Sequence, residues 1–225
     1  KFYKPTLTFK IKVDNKVKFF FKKLIPSIFS SGVTQINILI GTIIASFEAG
    51  AVSYLYYADR IYQINLAIAG IAVGTVSLPV LSKAFKENNV KKLSSIQSKS
   101  FELSLLLSIP ASFGLILTSE EIVNALFGYG SFSKEDVKLT ADALKYFGYG
   151  VPAFALVKIL SNFFFARDNT KTPFYISTVM VTINISISVS LFSSFGFIII
   201  PIATSIATWI GVLFYLHLLN KKKSL

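Results

Sequence analysis

The stretch SYLYYADRIYQINLAIAGIAVGTVSLPVL, residues 53–81, holds only two charged residues, Asp59 and Arg60, and both stand near its start. A helix needs about 20 mostly apolar residues to cross a hydrocarbon core of about 30 Å, so this run reads as a membrane span with an arginine inside it. The rest of the chain agrees. Of its 225 residues 53% are hydrophobic and 15% charged, and the mean hydropathy is +0.62; typical soluble domains are more charged and less apolar. Six stretches qualify as spans, at about 24–47, 54–81, 101–118, 141–165, 173–192 and 197–219. They are too long for barrel strands of about 10 residues and lack strict polar alternation. The expected fold is therefore all-α, a polytopic bundle of six transmembrane helices.

Charge placement adds a topology. Lys and Arg number 23 against 11 Asp and Glu, a formal net charge of +12. Residues 1–23 hold eight Lys, residues 82–100 five, residues 166–172 Arg167 and Lys171, and the tail 220–225 three. The alternate connections hold only Lys134 and Lys138, beside Glu120, Glu121, Glu135 and Asp136. Short basic loops stay on the cytoplasmic side, so both ends are expected inside and the number of crossings even. Residues 1–23 then form a basic linker, lying on anionic headgroups or simply solvated, residues 24–219 the transmembrane lobe, and residues 220–225 a basic tail. Lys1 is not an initiator methionine and no signal-peptide layout follows it, which suits a piece of a longer polypeptide.

Several function classes lack their residues. The basic charge comes without zinc-finger spacing or an RNA-binding aromatic motif, so no nucleic-acid partner is expected. There is no cysteine, hence no disulfide framework or thiolate metal site. No carboxylate pair lies inside a span, and no phosphate loop or nucleophile elbow appears. His217, the only histidine, falls at the inner end of the last span, an interfacial position. The chain does not read as an enzyme, and no cofactor is expected.

What remains is the polarity inside the spans. Tyr56, Arg60, Gln63, Ala67, Gly70, Gly74 and Ser77 step by four and three, which places them on one helical face. Gly70 and Gly74 have the spacing that lets two helix backbones approach closely. An intramembrane arginine either faces a watery cavity, where it binds an anion, or snorkels outward and neutralises a neighbour. Asp59 lies about 100° round the helix from Arg60 and cannot share its face well. The first span has a comparable stripe in Ser30, Thr34, Asn37, Gly41, Ala45 and Glu48, suited to lining a cavity or to interhelical hydrogen bonds. Asn184 and Ser188 stand one turn apart in the fifth span, and Ala203, Ala207 and Gly211 form a small-residue seam in the sixth. Lys158, one turn before Asn162, is either structural or a substrate contact. Tyr54, Tyr56, Tyr57 and Tyr62 read as an outer aromatic belt, with stacking of some of them on a sugar as the alternative.

QINILIGTIIASFEAGAVSYLYYADRIYQINLAIAGIAVGTVSLPVLSKAF, residues 35–85, resembles the seventh and eighth helices of the MurJ/MviN lipid II flippases, in the multidrug and oligosaccharidyl-lipid exporter superfamily. YYADR at 56–60, GTVSLPVLSK at 74–83, ALFGYGSFS at 125–133 and ARDNTKTP at 166–173 match in order. The resemblance implies two six-helix lobes around a central cavity, of which this chain is the C-terminal one, in the bacterial inner membrane. It implies alternating-access export of lipid II, with Arg60 on the diphosphate and Gln63, Asn37 and Thr34 as polar liners. The partners implied are lipid II, the phospholipid bilayer, the N-terminal lobe of the same protein and enzymes of peptidoglycan synthesis. Alternatives on the same fold are export of another polyprenyl-linked glycan or a drug, and a non-transporting scaffold for cell-wall enzymes. The resemblance also implies a sodium site, as in some relatives, at positions matching Gly41, Asn184, Ser188 and Thr204. The acidic residues expected there are missing, which makes the membrane potential the alternative driving force.

Overall fold

The computed structural model describes Asp14, Val17, Lys18, Gly32 and residues 35–222. Nearly all of the basic linker, most of the first half of the first expected span and the last three residues of the tail lie outside that set. Within it every element is a helix. They are α1 (Gln35–Ala45), α2 (Ala51–Leu66), α3 (Val73–Lys86), α4 (Val90–Leu117), α5 (Ser119–Phe127), α6 (Lys134–Phe165), α7 (Lys171–Phe195) and α8 (Ile199–Lys222). A π-helical turn, Ala67–Ala72, joins α2 to α3, and a 3-10 turn, Gly196–Ile198, joins α7 to α8.

Four apolar runs among the described residues are long enough to cross a membrane: Ala51–Lys86, Val90–Leu117, Lys134–Phe165 and Lys171–Lys221. The last is two helices. It reverses at Gly196, whose φ of +60° no side-chain-bearing residue adopts readily. The reversal makes α7 and α8 an antiparallel hairpin in which Asn184 meets Thr204 and Met180 lies against Gly211.

The ends of these helices are written in local chemistry. Asn88, at φ 51°, closes α3 in the left-handed conformation while Asn89 N–H bonds Ala84 O at 3.1 Å, a Schellman stop. The Asn89 side chain then accepts from Lys92 N and starts α4. That cap lies twelve residues ahead of the expected span at 101, so the polar residues 90–100 continue one helix with the apolar residues that follow. ARDNTKTP works the same way. Asp168, at φ 57°, ends α6, with Asn169 N bonding Phe164 O, and Asn169 Oδ1 accepts from Thr172 N to start α7. Ser133 and Asp136 form a reciprocal capping box at the head of α6, and the Tyr54 hydroxyl donates to Asp136 Oδ1 at 2.7 Å.

α6 is the axis of the lobe, since 18 of its 32 residues are buried, whereas four of 25 are in α7. α2, α4 and α8 all pack on it. Its interior proline creates a debt that neighbours settle. Pro152 has no N–H for the Gly148 carbonyl four residues back, and Ser112 Oγ of α4 donates to that carbonyl at 2.7 Å. From α8, Ser205 Oγ donates to Tyr146 O at 2.8 Å and Trp209 Nε1 to Tyr149 O at 3.0 Å. Ser112 ends a row, Ser100, Ser104, Ser108 and Ser112, all buried and spaced by one turn. Such small residues let helices approach closely where apolar burial gives no net drive.

Candidate functional site

α2 rests on α6 through Ala58 and Ile61, both buried, with Tyr62 stacked between Phe147 at 4.7 Å and Phe154 at 5.2 Å. Arg60 follows Ala58 by two residues, so it leaves the helix on the far side and is exposed. Its guanidinium lies 4.7 Å from the centre of the Tyr56 ring, one turn toward the start of α2, the direction in which helical side chains lean. Asp59 is engaged elsewhere: Tyr62 and Gln63 both donate to its carboxylate. No carboxylate is paired with Arg60 among the described residues. An exposed guanidinium braced on an aromatic face, outside ion-pair distance of Asp59 though attracted to it, has the geometry to meet a planar two-oxygen anion.

The single polar face expected from Tyr56 to Ser77 is not present. Tyr56, Arg60 and Ala67 are exposed, but Gly70, Gly74 and Ser77 are buried. The cause is the π-helical turn Ala67–Ala72 between them: its i→i+5 pattern inserts a residue and rotates everything beyond it out of the four-three register. Gly70, within the turn, and Gly74, just beyond it, both pack. A Cβ on Gly70 would sit 3.0 Å from Ala155 Cα, and one on Gly74 2.8 Å from Asn162 Nδ2, while Asn162 Nδ2 donates to Gly74 O at 2.9 Å. The four tyrosines of the expected belt differ in their surroundings. Tyr54 binds Asp136, Tyr57 packs on Phe127 and Phe132, and Tyr62 is stacked on α6. Only Tyr56 keeps more than half its surface exposed, at 54%.

The other expected liners divide. The Gln63 amide is held by Asp59 on its own helix. Asn37 is half-buried, its Oδ1 without a partner. Asn37 and Arg60 flank the turn at residues 46–50, about 12 and 14 Å along α1 and α2 at 1.5 Å per residue. Thr34 lies outside the described residues. Beyond Asn37 the α1 stripe turns toward the hairpin: Gly41 lies against Ile200, Ala45 is fully buried, and Glu48 Oε2 accepts from Phe197 N at 2.7 Å. That last contact was not legible, because a glutamate at a span end gives no sign of the backbone amide it will meet 149 residues away.

Asn184, Ser188 and Thr204 do come together. Asn184 Nδ2 donates to Thr204 Oγ1 at 2.7 Å, Ser188 Oγ donates to Asn184 Oδ1 at 3.3 Å, and Thr204 Oγ1 donates to Ile200 O at 2.7 Å. Both hydroxyls and the amide thus have partners, within the cluster or on the α8 backbone. No group of three His, Cys, Asp or Glu that could hold a metal ion occurs among the described residues. A hard cation wants several free oxygens and a carboxylate, so these residues do not fit sodium.

A family model described as lipid II flippase MurJ matches residues 3–225. A relative named probable lipid II flippase MurJ from Rhizobium meliloti (strain 1021) is 42% identical over 189 residues, covering 84% of this chain and 35% of the relative. Its namesake from Rickettsia prowazekii (strain Madrid E) is 41% identical over 203 residues, covering 89% and 40%. A solved lipid II flippase MurJ in an inward closed conformation superposes with TM-score 0.80 at 31% identity, over 93% of this chain and 45% of that one. An outward-facing multidrug resistance MATE transporter matches with TM-score 0.76 at 17% identity, over 88% and 44%, a likeness of fold alone. The chain thus spans about two fifths of the curated relatives it matches. By the family model and these identities, it belongs to the MurJ family of lipid II flippases.

Proposed function

We propose that this chain is the C-terminal lobe of a flippase that moves lipid II, the undecaprenyl-diphosphate-linked peptidoglycan precursor, from the inner to the outer leaflet of the bacterial inner membrane. The carrying observation is Arg60: exposed, braced on Tyr56, and not in an ion pair with Asp59, whose carboxylate is hydrogen-bonded by Tyr62 and Gln63. A guanidinium fork suits the paired oxygens of a diphosphate, and a cavity cation without a counter-ion is costly unless a ligand supplies one. Asn37 and Thr34 are secondary liners in this reading, and Gln63 contributes by holding Asp59 away. Transport is by alternating access, this lobe rocking against the N-terminal lobe of the same protein around a midplane cavity. No bond is made or broken.

The charge distribution supports an orientation with both ends of the chain cytoplasmic. Lys83, Lys86, Lys91, Lys92, Arg167, Lys171 and Lys221 gather at one end of the bundle, while Glu48, Glu120, Glu121, Glu135 and Asp136 mark the other. Because the Asn184 cluster does not suit sodium, the membrane potential is the driving term of this reading, at about 2.3 kcal/mol per charge per 100 mV. Enzymes of peptidoglycan synthesis supply the cargo and take it up. The test is depletion of the full-length protein with rescue by wild type or Arg60→Ala. The alanine variant is expected to insert normally and to fail in precursor export. Full rescue removes Arg60 from the mechanism, and equal transport of an unrelated undecaprenyl-linked glycan removes lipid II as the specific cargo.

A further inference from the structure

Three cations lie within the expected spans: Arg60, Lys145 and Lys158. Their placement separates them. α2 and α6 run in the same direction, because the pairs Tyr54 with Asp136, Tyr62 with Phe147 and Gly74 with Asn162 advance together. Tyr62 meets Phe147, so Arg60 is level with Lys145. Lys145 nevertheless faces away from α2, since it precedes Phe147 by two residues and projects about 200° from the stacked face.

Lys158 is on the other side. Phe154, Lys158 and Asn162 are spaced by four and form one row on α6. Phe154 stacks on Tyr62 and Asn162 bonds Gly74, so this row faces α2 and α3. Lys158, between those two contacts, is exposed. The π turn explains how. It carries α3 over Ala155 through Gly70, to one side of the row, and leaves the lysine uncovered beside the crossing. Arg60 and Lys158 therefore project from the same side of the lobe, 13 residues apart in depth, or about 20 Å at 1.5 Å per residue. Snorkelling does not account for Lys158. Helical side chains lean toward the helix N-terminus, which on α6 is the end away from Arg167, so this lysine leans into the span. No carboxylate is paired with it among the described residues.

We propose that Lys158 is a second contact for the anionic headgroup of the cargo, met on the inner half of the face that carries Arg60. The inference rests on the diphosphate reading of Arg60 and extends it. One diphosphate is too short to bridge about 20 Å, so the two cations act in succession, as stations at two depths.

The test uses the full-length protein in lipid nanodiscs with undecaprenyl diphosphate as the probe. Lys158→Met is expected to weaken its binding about tenfold, the scale of one lost hydrogen bond to a charged group, while Lys158→Arg stays near wild type. Lys158→Cys is expected to react with a membrane-impermeant anionic thiol reagent and to be protected by the probe; the lobe has no native cysteine to interfere. Unchanged binding in Lys158→Met beside weakened binding in Arg60→Ala overturns this inference and leaves the reading of Arg60 intact. Unchanged binding in both variants removes the diphosphate reading itself. An unreactive Lys158→Cys, or labelling indifferent to the probe, overturns the inference even if Lys158→Met folds poorly.

Discussion

Replacing Ser112 by alanine tests the account of the α6 axis, because its cost depends on a residue in another helix. In the native lobe the Gly148 carbonyl is buried and Pro152 offers it no N–H; Ser112 Oγ, at 2.7 Å, is the donor. Removing a donor from a buried acceptor costs about 1–3 kcal/mol in soluble proteins, and interhelical hydrogen bonds in a bilayer protein average about 0.6 with a maximum of about 1.7 kcal/mol. The two ranges overlap at about 1–1.7 kcal/mol, which we take for Ser112→Ala. Pro152→Ala changes the sum. Alanine returns the N–H to the α6 ladder, the Gly148 carbonyl regains an intrahelical partner, and Ser112→Ala in that background should cost only a few tenths of a kcal/mol. The coupling between the two sites is then about 1 kcal/mol, well outside the additivity expected of independent residues. Unfolding of the four proteins by titrated SDS in mixed micelles, followed by circular dichroism, measures all sides of the cycle. Equal costs of Ser112→Ala in both backgrounds, within about 0.3 kcal/mol, would refute the claim that the serine serves the proline-freed carbonyl.

Other substitutions separate packing from space. Gly70→Ala, whose new Cβ would meet Ala155 Cα at 3.0 Å, is expected to lower stability by about 1–3 kcal/mol, whereas Gly114→Ala, with nothing within 4 Å in α4, is expected to raise it by up to about 1 kcal/mol; thermal melts in detergent compare them. Glu48→Ala strands the Phe197 N–H and is expected to cost about 1–2 kcal/mol, while Glu48→Gln keeps an acceptor and most of the stability, so identical melts for the two variants would discard the contact. Exchanging sodium for choline at constant ionic strength is expected to leave the melting midpoint unchanged, because a ligand present at 100 times its Kd would add about 2.7 kcal/mol; a clear sodium-dependent rise would restore the cation site at Asn184.

The parts legible in advance share one property: their cause is local. Long apolar runs and the alternation of basic and acidic connections are set by the bilayer's thickness and charge asymmetry, and both can be counted along the chain. The stop and start in ARDNTKTP, where the sequence offered only a family match, are equally local, since Asp168 and Asn169 act within five residues of themselves. The face of α2 and α3 is not. Nothing in AIAG, with its ordinary helix formers and a glycine, signals a π turn; that turn follows from Gly70 seating on Ala155 and Tyr62 seating between Phe147 and Phe154, two contacts with a helix more than 80 residues away.

That misregister also bears on the function. Had the four-three spacing continued unbroken, the glycines would have shared the exposed face of Arg60, and Lys158 would have been roofed by α3. With the extra residue, the glycines turn onto α6, where close packing fixes the depth of α2 and thus of Arg60. The same rotation uncovers Lys158 about 20 Å deeper on that side. A π turn costs hydrogen-bond quality and persists where something else over-determines it; here the over-determination is a pair of glycines on one flank and an aromatic clamp on the other. Straightening the turn by deleting one residue between Ala67 and Ala72 should therefore swing Arg60 about 100° round the helix relative to α3. A thiol reagent reading cysteines at positions 60 and 158 would register both changes at once: position 60 losing water access if α3 holds its seat, or position 158 becoming covered if α2 holds instead. Retention of both accessibilities after the deletion would mean that the π turn does not set the register of this face.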